Sequence, residues 1–421
     1  MIAKGEWKPR RLDELGFLGR GKSRHRPRNE ASLYGGPYPF IQTADVMAAD
    51  PYITSYSQTY SEFGFQQSKM WPPETLCMTI AGANTARTAI LKFEACFPDS
   101  MVGFIPDKSK SDIVFVKYAL DLMRDRFLSV SRGATQDNLG LDKILSFPIL
   151  APDADEQRRI GAILSAYDEL MENSQRRIRL LEAMARALYR EWFVHFRFPG
   201  HEKLPRVASP LGDIPQGWEV VSIDDVCARV TDGSHNSPKS VDEGLPMASS
   251  KDMHDWGLNL DSCRLISTED FAELVRNDCK PKKNDVLITK DGANYLKYIF
   301  VTRAEQEVVL LTSVAMLRPN ARINPHLLAA ILKEPENKGR LKNYFTGAAI
   351  PRVILKDFKR FELLLPSKEV QTAWAKIAEP MTEQIWQLID KIQNLRRTRD
   401  LLLPRLLSGQ VSVPLNSNLN E

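Results

Sequence analysis

The sequence has few of the residues that mark several protein classes. It contains five cysteines among 421 residues, none in a CxxC pair, and six dispersed histidines. These numbers predict reduced thiols in a cytoplasmic protein, and neither a disulfide framework nor a metal site. No apolar run approaches the roughly 20 residues needed to cross a bilayer, and the N-terminus lacks the apolar stretch of a signal peptide. We therefore expect a folded protein without a membrane segment.

The chain also has only a small excess of positive over negative charge. Lysine and arginine number 57 against 53 acidic residues, a net charge of +4. This excess is too small to indicate nucleic-acid binding by itself. Evidence for such binding has to come from where the charges lie in the sequence. The hydrophobic share of 43% and charged share of 26% are typical of a globular protein, and the length predicts two or three domains.

The chain repeats itself with a period of about 210 residues. Residues 7–15 align with 218–226, and both segments begin with a tryptophan. Further matches follow in the same order at offsets between 210 and 214: 82–84 with 292–294, 100–106 with 313–319, 133–134 with 347–348, Pro152 with Pro366, and Gln157 with Gln371. A constant order with a small drift indicates a duplicated unit with loop insertions.

Each copy begins with about 150 residues of mixed character. Short apolar runs broken by Gly, Pro, Asn and Asp predict strands, and two longer runs predict helices. The strand candidates are 76–80, 89–91, 286–289 and 308–311, and the helix candidates are 114–126 and 325–332.

Each copy ends in a long amphipathic helix. Apolar residues recur at three- and four-residue steps from Ile160 to Trp192 and again from Trp374 to Leu406, in the same phase at an offset of 214. A helix of roughly 35 residues is about 50 Å long at 1.5 Å per residue. Such a seam favours pairing with another helix; the alternative is that each helix packs only on its own domain.

One motif suggests a nucleotide site. Residues 16–23 (GFLGRGKS) satisfy the phosphate-loop pattern GxxxxGK[ST]. That mechanism needs a buried strand before the loop and a helix starting at its Lys-Ser. The preceding residues 7–15 are highly charged, and Pro27 would disrupt the required helix. A P-loop nucleotide-binding protein is therefore the less favoured alternative.

The same segment is strongly basic, and we call residues 20–28 the basic loop. It contains six basic side chains and no acid: Arg20, Lys22, Arg24, His25, Arg26 and Arg28. Such a loop can follow a phosphate backbone, and arginine can read guanine edges; the alternative is a solvated charged loop. Its counterpart in the second copy, residues 231–239 (TDGSHNSPK), is polar instead, and we call it the polar loop. The two copies share the repeated motifs but differ in this loop. This difference predicts that they recognise different targets.

At this point the chain resembles the specificity subunits of type I restriction–modification enzymes, along its whole length. Residues 19–29 (GRGKSRHRPRN) followed by 38–46 resemble a first target-recognition domain of that family. The segments that resemble other family motifs are 232–235 (DGSH) with Pro238, 246–253 (PMASSKDM), 156–160 (EQRRI) and 401–411 (LLLPRLLSGQV). The second long helix departs from the pattern, because it opens with 368–372 (KEVQT) and lacks the EQxxI motif.

The resemblance implies an α+β fold with an internal pseudo-twofold repeat. Two mixed α/β target-recognition domains, at 1–152 and 206–366, would be separated by two long conserved helices. The helices, in regions 153–205 and 367–421, would form an antiparallel coiled coil. Each recognition domain would read one half of a bipartite, asymmetric site in double-stranded DNA, and the helices would set the length of the unread spacer.

The resemblance also implies partners and no catalysis in this chain. Two copies of a methyltransferase subunit would bind the helical regions, and restriction–translocase subunits would complete the enzyme. Those subunits would use S-adenosylmethionine, ATP and Mg²⁺. The complete enzyme would be a type I site-specific deoxyribonuclease and adenine-specific DNA methyltransferase.

Candidate DNA-binding residues lie in both copies. In the first they are the six basic-loop side chains together with Gln42, Thr43, Asn84 and Arg87. In the second they are Ser234, His235, Asn236, Lys239, Ser250, Lys251, Lys290, Asn294, Lys297 and Arg352. For Asn84 and Asn294 the alternative is turn-capping beside the preceding glycines.

Overall fold

A computed structural model of the chain describes residues 7–131, 139–291, 295–342, 345–346, 352–411 and 413. The chain forms two compact units. The first comprises Met1–Gln175 and Ile389–Glu421, and the second comprises Arg176–Leu388. This division passes through both long helices, so the domain boundaries at 152/153 and 366/367 remain a prediction.

The first unit is built on two sheets. A five-stranded sheet has the order Gly16–Arg20, Met101–Pro106, Leu76–Thr79, Thr88–Leu91 and Tyr52–Ile53, and only its last pair is parallel. A four-stranded sheet has the order Gln58–Tyr60, Tyr34–Phe40, Ala95–Cys96 and Met70–Trp71. Lys8–Arg10 pairs separately with Ile149–Ala151. The short helices are Leu12–Leu15, Thr43–Ala48, Glu62–Gln66, Ile113–Leu122, Arg124–Ser131 and Leu141–Leu145.

The second unit repeats this plan. Its four-stranded sheet has the order Cys227–Asp232, Val314–Pro319, Val286–Thr289 and Ile299–Val301. A three-stranded sheet has the order Arg264–Ile266, Leu245–Ala248 and Val309–Leu310. The strand pairs are Arg206–Val207 with Ile214–Pro215, Glu219–Ser222 with Glu362–Leu365, Met253–His254 with Gly257–Leu258, and Phe345–Thr346 with Arg352–Val353. The helices are Ile223–Val226, Thr268–Arg276, Pro325–Lys333, Pro335–Leu341 and Leu355–Phe358.

The central strands show why apolar runs became buried strands. Leu76 and Met78 pack in one hydrophobic cluster and Cys77 packs in another, because successive side chains point to opposite faces of a sheet. Val286 and Leu287 are divided in the same way in the second unit. The predicted strands are confirmed. The predicted helices are also confirmed, although the first is interrupted at Met123.

Two glutamines confirm the duplication at atomic detail. The Gln157 side chain donates to the carbonyls of Lys110 and Pro152 and accepts from the amide of Asp112. Gln371 makes the corresponding contacts in the second unit, with the carbonyls of Arg322 and Pro366 and the amide of Asn324. The two residues at the amide positions, an aspartate and an asparagine, both cap the N-terminus of a helix.

Both long helices are present as predicted. They span Ala154–Tyr189 (36 residues) and Lys368–Leu407 (40 residues), and a π-helical turn, Arg190–Val194, follows the first. Each of the two units contains part of both helices. The long helices therefore do not pack only on their own domains.

Within the first unit the two helices run antiparallel. Ile160 and Leu164, early in the first helix, share a buried cluster with Leu403 and Leu406, late in the second. Asp168, further along the first helix, contacts Arg399, which precedes those leucines in the second.

Within the second unit aromatic residues join the helices. Phe193, just beyond the first helix, packs edge-on against Trp374 near the start of the second, at a ring distance of 5.7 Å. The predicted apolar seam is nevertheless too broad, because Leu170, Met184 and Ile377 are more than 40% exposed.

Candidate nucleic-acid interface

The phosphate-loop pattern does not form a phosphate loop. Gly16–Arg20 is a strand of the first sheet, and residues 21–28 form no helix. The backbone amides of Gly21 and Lys22 already donate to the carbonyls of Met101 and Phe97, at 2.9 and 3.0 Å. A phosphate cradle needs free amides and a helix N-terminus at this place. The geometry is therefore incompatible with a P-loop.

The backbone of the basic loop is held by side chains from residues 60–68. The carboxamide oxygen of Gln67 accepts hydrogen bonds from the amides of Arg24 and His25. The hydroxyl of Ser68 donates to the carbonyl of Lys22 at 2.8 Å. These contacts shape the loop without using its charged groups.

The charges of the basic loop are only partly neutralised. Arg28 and Arg26 lie 2.5 and 3.6 Å from the carboxylate of Asp99. His25 pairs with Glu30. In the part of the chain that the structure describes, no carboxylate lies within 4 Å of the side-chain nitrogens of the remaining three cations, which are Arg20, Lys22 and Arg24. Three of the six predicted basic side chains thus carry a charge that no carboxylate of the described residues neutralises.

The other candidates of the first copy take different places. Gln42 caps the helix Thr43–Ala48, and its amide also donates to Gln58, so its side chain is already engaged. Thr43 is half-buried in the first turn of that helix. Asn84 and Arg87 are exposed in the turn between two strands of the first sheet. The hydroxyl of Thr79 holds that turn through their backbone atoms.

The polar loop is held by Ser234 within it and by Arg264 from outside, whose guanidinium donates to the Ser237 hydroxyl and the Pro238 carbonyl. The Ser234 hydroxyl accepts from the amide of Asn236 and donates to its carbonyl, and Ser234 is 6% exposed. His235 lies 3.2 Å from the carboxylate of Asp232. His235, Asn236 and Lys239 are exposed. Ser234 therefore shapes the loop, while its neighbours face solvent.

Lys290 is misplaced for a DNA contact. Its side chain is 2% exposed, and its ammonium pairs with Asp232. Burial opposes ionisation of Asp232, but the hydrogen bond and charge of Lys290, together with His235 and Thr312, outweigh it and lower the pKa of that carboxyl. A buried ammonium that already pairs with a carboxylate is not accessible to a DNA phosphate. The structure instead places Lys290 behind the polar loop, where it fixes Asp232.

The remaining candidates of the second copy are spread over the unit. Lys251 and Lys297 are exposed, and Ser250 is half-buried with its amide bonded to Ser313. Asn294 lies outside the described residues. Arg352 is in the strand Arg352–Val353.

Sequence reasoning missed the residues that hold the two loops. Gln67, Ser68 and Asp99 act on the basic loop across about 40 to 70 residues of sequence. Asp232 was noted only as part of a motif. No local pattern signals such contacts, because the partners meet only after the sheets have formed.

The described residues contain no group of three or more His, Cys, Asp or Glu side chains able to hold a metal ion. None of their helices is long and apolar enough to cross a membrane. All five cysteines are buried and unpaired, and burial raises the pKa of the Cys263 thiol to about 12.

Comparison with known proteins places this geometry in a wider context. The family model described as type I restriction modification DNA specificity domain matches twice, at residues 4–183 and 215–395. The two matches start 211 residues apart, which is the offset of the internal repeat.

Similar proteins match more than two thirds of the chain. The MjaIX specificity subunit of a type I restriction enzyme from Methanocaldococcus jannaschii is 23% identical, over 97% of this chain and 94% of the relative. The HindI specificity subunit from Haemophilus influenzae is 21% identical, over 68% and 74%. The crystal structure of a type I restriction–modification S subunit from M. genitalium has a TM-score of 0.59 at 16% identity, covering 99% of this chain and 98% of that one. This last likeness shows that the two proteins share a fold.

Proposed function

The chain belongs to the type I restriction–modification DNA specificity family, and on that premise we propose that it reads a bipartite, asymmetric DNA site. Each copy of the repeat recognises one half of the site. Methylation and cleavage are carried out by other subunits, and this chain performs recognition only.

The observation that carries the proposal is the pair of different loops on equivalent scaffolds. The basic loop follows the strand Gly16–Arg20, and the polar loop begins at the end of the corresponding strand, Cys227–Asp232. Both strands pair with the corresponding neighbours, Met101–Pro106 and Val314–Pro319. Loops vary most easily on a conserved framework, and binding residues are often placed there. Two loops of different chemistry on one framework fit an asymmetric target.

The chemistry of the first loop favours DNA as the ligand. Arg20, Lys22 and Arg24 can neutralise phosphates and release counterions, and arginine forks match the O6 and N7 acceptors of guanine. The polar loop offers a histidine, an asparagine and a lysine instead. Asparagine pairs preferentially with adenine, whereas arginine pairs preferentially with guanine. We therefore expect the two half-sites to differ in sequence.

Partner subunits are proposed for the long helices. Leu180 of the first helix is 61% exposed, and Leu401 of the second is 65% exposed. We assign the partner surface to the parts of the helices that carry these exposed leucines. Two methyltransferase subunits occupy these surfaces, restriction–translocase subunits join them, and the spacer between the half-sites is set by the helices. S-adenosylmethionine, ATP and Mg²⁺ are used by the partners, and the complete enzyme is a type I site-specific deoxyribonuclease and adenine-specific methyltransferase.

The proposal is tested by reading the methylated sequence. The chain is expressed with its methyltransferase subunit, and the modified sites are mapped on genomic DNA. The variant Arg24→Ala/Arg26→Ala is expected to relax or weaken recognition in one half-site and leave the other unchanged.

The matched control is Arg10→Ala/Lys108→Ala, which removes the same charge from exposed positions outside the loop. Equal losses in both half-sites, or an equal effect of the control, would contradict the assignment of the basic loop. Methylation without sequence preference would contradict the proposed function as a whole.

A further inference from the structure

An exposed phenylalanine stands beside the basic loop. Phe63 is 47% exposed, and its ring lies 5.3 Å from the ring of His25 in an edge-on arrangement. Nearly half of the ring faces solvent, so Phe63 is not a core residue of the first unit. This ring adds an apolar group to a surface whose cations can pair with phosphates.

The segment that carries Phe63 is fixed in place. Its neighbour Phe65 stacks on Tyr38 with ring centroids 4.3 Å apart. Gly64 packs so closely that a Cβ at this position would lie 2.2 Å from the carbonyl oxygen of Leu33. The backbone on the C-terminal side of Phe63 is therefore tightly held.

The same segment fixes the basic loop. Gln67, four residues after Phe63, accepts the amides of Arg24 and His25 and donates to the carbonyl of Gly64. The exposed ring and the cations of the loop are therefore held by one structural element. Such preorganisation lowers the entropy lost when a surface binds its ligand.

The chemistry of duplex DNA supplies a partner for this ring. Thymine carries a C5-methyl group in the major groove, where it forms apolar contacts with protein side chains such as phenylalanine. The flanking cations would contact the phosphates on either side. We propose that Phe63 contacts the methyl group of a thymine in the half-site read by the basic loop. The proposal rests on the proposed function and adds a base-specific apolar contact to it.

The test uses the complex of this chain with its methyltransferase subunit and a duplex that carries the methylated site. Each thymine of the half-site assigned to the basic loop is replaced in turn by deoxyuridine, which lacks only the methyl group. At one position the wild-type complex is expected to bind about fourfold more weakly, the factor that corresponds to about 0.8 kcal/mol for one buried methyl-sized group. The Phe63→Ala complex is expected to bind both duplexes equally.

Two further variants complete the design. Phe63→Leu keeps an apolar side chain and should retain part of the dependence on the methyl group. Leu150→Ala removes an exposed leucine from another surface of the same unit and should leave that dependence intact. Thermal unfolding of each complex shows whether the variants fold.

Several results would overturn the inference. They are equal binding of the wild type to every deoxyuridine duplex, an unchanged methyl dependence in Phe63→Ala, and failure of a folded Phe63→Ala chain to assemble with the methyltransferase subunit. The last result would assign the ring to a protein partner. A wild-type complex without any sequence preference would instead refute the proposed function, so the two failures are distinguishable.

Discussion

The guanidinium of Arg399 lies 2.9 Å from the carboxylate of Asp168, and both side chains are buried. The hydroxyl of Tyr118 donates to the same carboxylate at 2.7 Å. The three residues join both long helices to the helix Ile113–Leu122 within the first unit. The positions of Asp168 and Arg399 correspond at an offset of 214 to Thr382 and Ala185 in the second unit. This ion pair therefore belongs to one copy of the repeat only.

Removing one partner of this pair should destabilise the first unit strongly. Asp168→Ala removes the buried carboxylate shared by Arg399 and Tyr118, while the exposed carboxylate of Asp400 stays 3.0 Å from the guanidinium. The expected loss in the free energy of unfolding is therefore about 3 kcal/mol, the lower end of the range for a broken buried pair. Asp168→Ala/Arg399→Leu should lose less, because no charge is left unpaired. Denaturant unfolding measures both, with Asp155→Ala as the control in an exposed pair. A loss as small as that of the control would show that the pair is solvated in solution.

The duplicated glutamines should contribute equally. Gln157→Ala and Gln371→Ala each leave one buried carbonyl, one partly buried carbonyl and one amide without this partner, so we expect a loss of about 1–3 kcal/mol in either variant. Gln175→Ala, at an exposed position of the first long helix, is the control. Unfolding curves compare the three variants. A large effect at one glutamine and none at the other would contradict the structural equivalence of the copies.

Gln67 should affect DNA binding without carrying charge. Gln67→Ala removes the acceptor for two amides of the basic loop, and we expect binding to weaken by about 1–2 kcal/mol while the protein stays folded. Gln66→Ala is the matched control, because its side chain is adjacent but exposed. Titration of labelled duplex DNA with the methyltransferase complex measures the difference. Equal affinities of the two variants would show that the loop needs no such support.

Lys333 should make stability depend on alkaline pH. Burial lowers its pKa from 10.5 to about 8, although the carboxylates of Asp255 and Glu182 oppose the shift. Below pH 8 the folded chain holds a half-buried ammonium over the ring of Trp256, and its partial loss of water is unfavourable. Between pH 8 and 10.5 the folded state loses this proton before the unfolded state does, so the contribution of Lys333 to stability rises with pH.

The measurement compares Lys333→Met with the wild type at pH 7 and pH 10. The variant should be more stable by roughly 1–3 kcal/mol at pH 7, and the gain should shrink at pH 10. Lys376→Met, at an exposed site, should show no such change between the two pH values. A gain that is the same at both pH values would mean that Lys333 is not buried as a charged group.

Much of the architecture followed from patterns along the chain. The repeat, the strands around 76–80 and 286–289, and both long helices were predicted because apolar periodicity and the order of matched motifs are local properties. The rejection of a P-loop also followed from its charged flanks and Pro27. The family resemblance rested on the same motifs and is confirmed.

The tertiary structure decided what the individual side chains do. Lys290 looked like an accessible cation and is buried against Asp232, whereas Gln67 and Phe63 carried no signal and lie at the basic loop. The seam of the long helices was predicted, but its buried pair of Asp168 and Arg399 was not.

The repeat, both long helices, the central strands and the charged loop were thus predictable, since each is a pattern along the chain that needs no knowledge of which distant residues meet. Burial and pairing depend on residues far apart in the chain, 231 positions between Asp168 and Arg399 and 346 between Asp50 and Arg396. Only the folded chain brings such partners into contact, and so only the tertiary structure decided which charges stay at the surface.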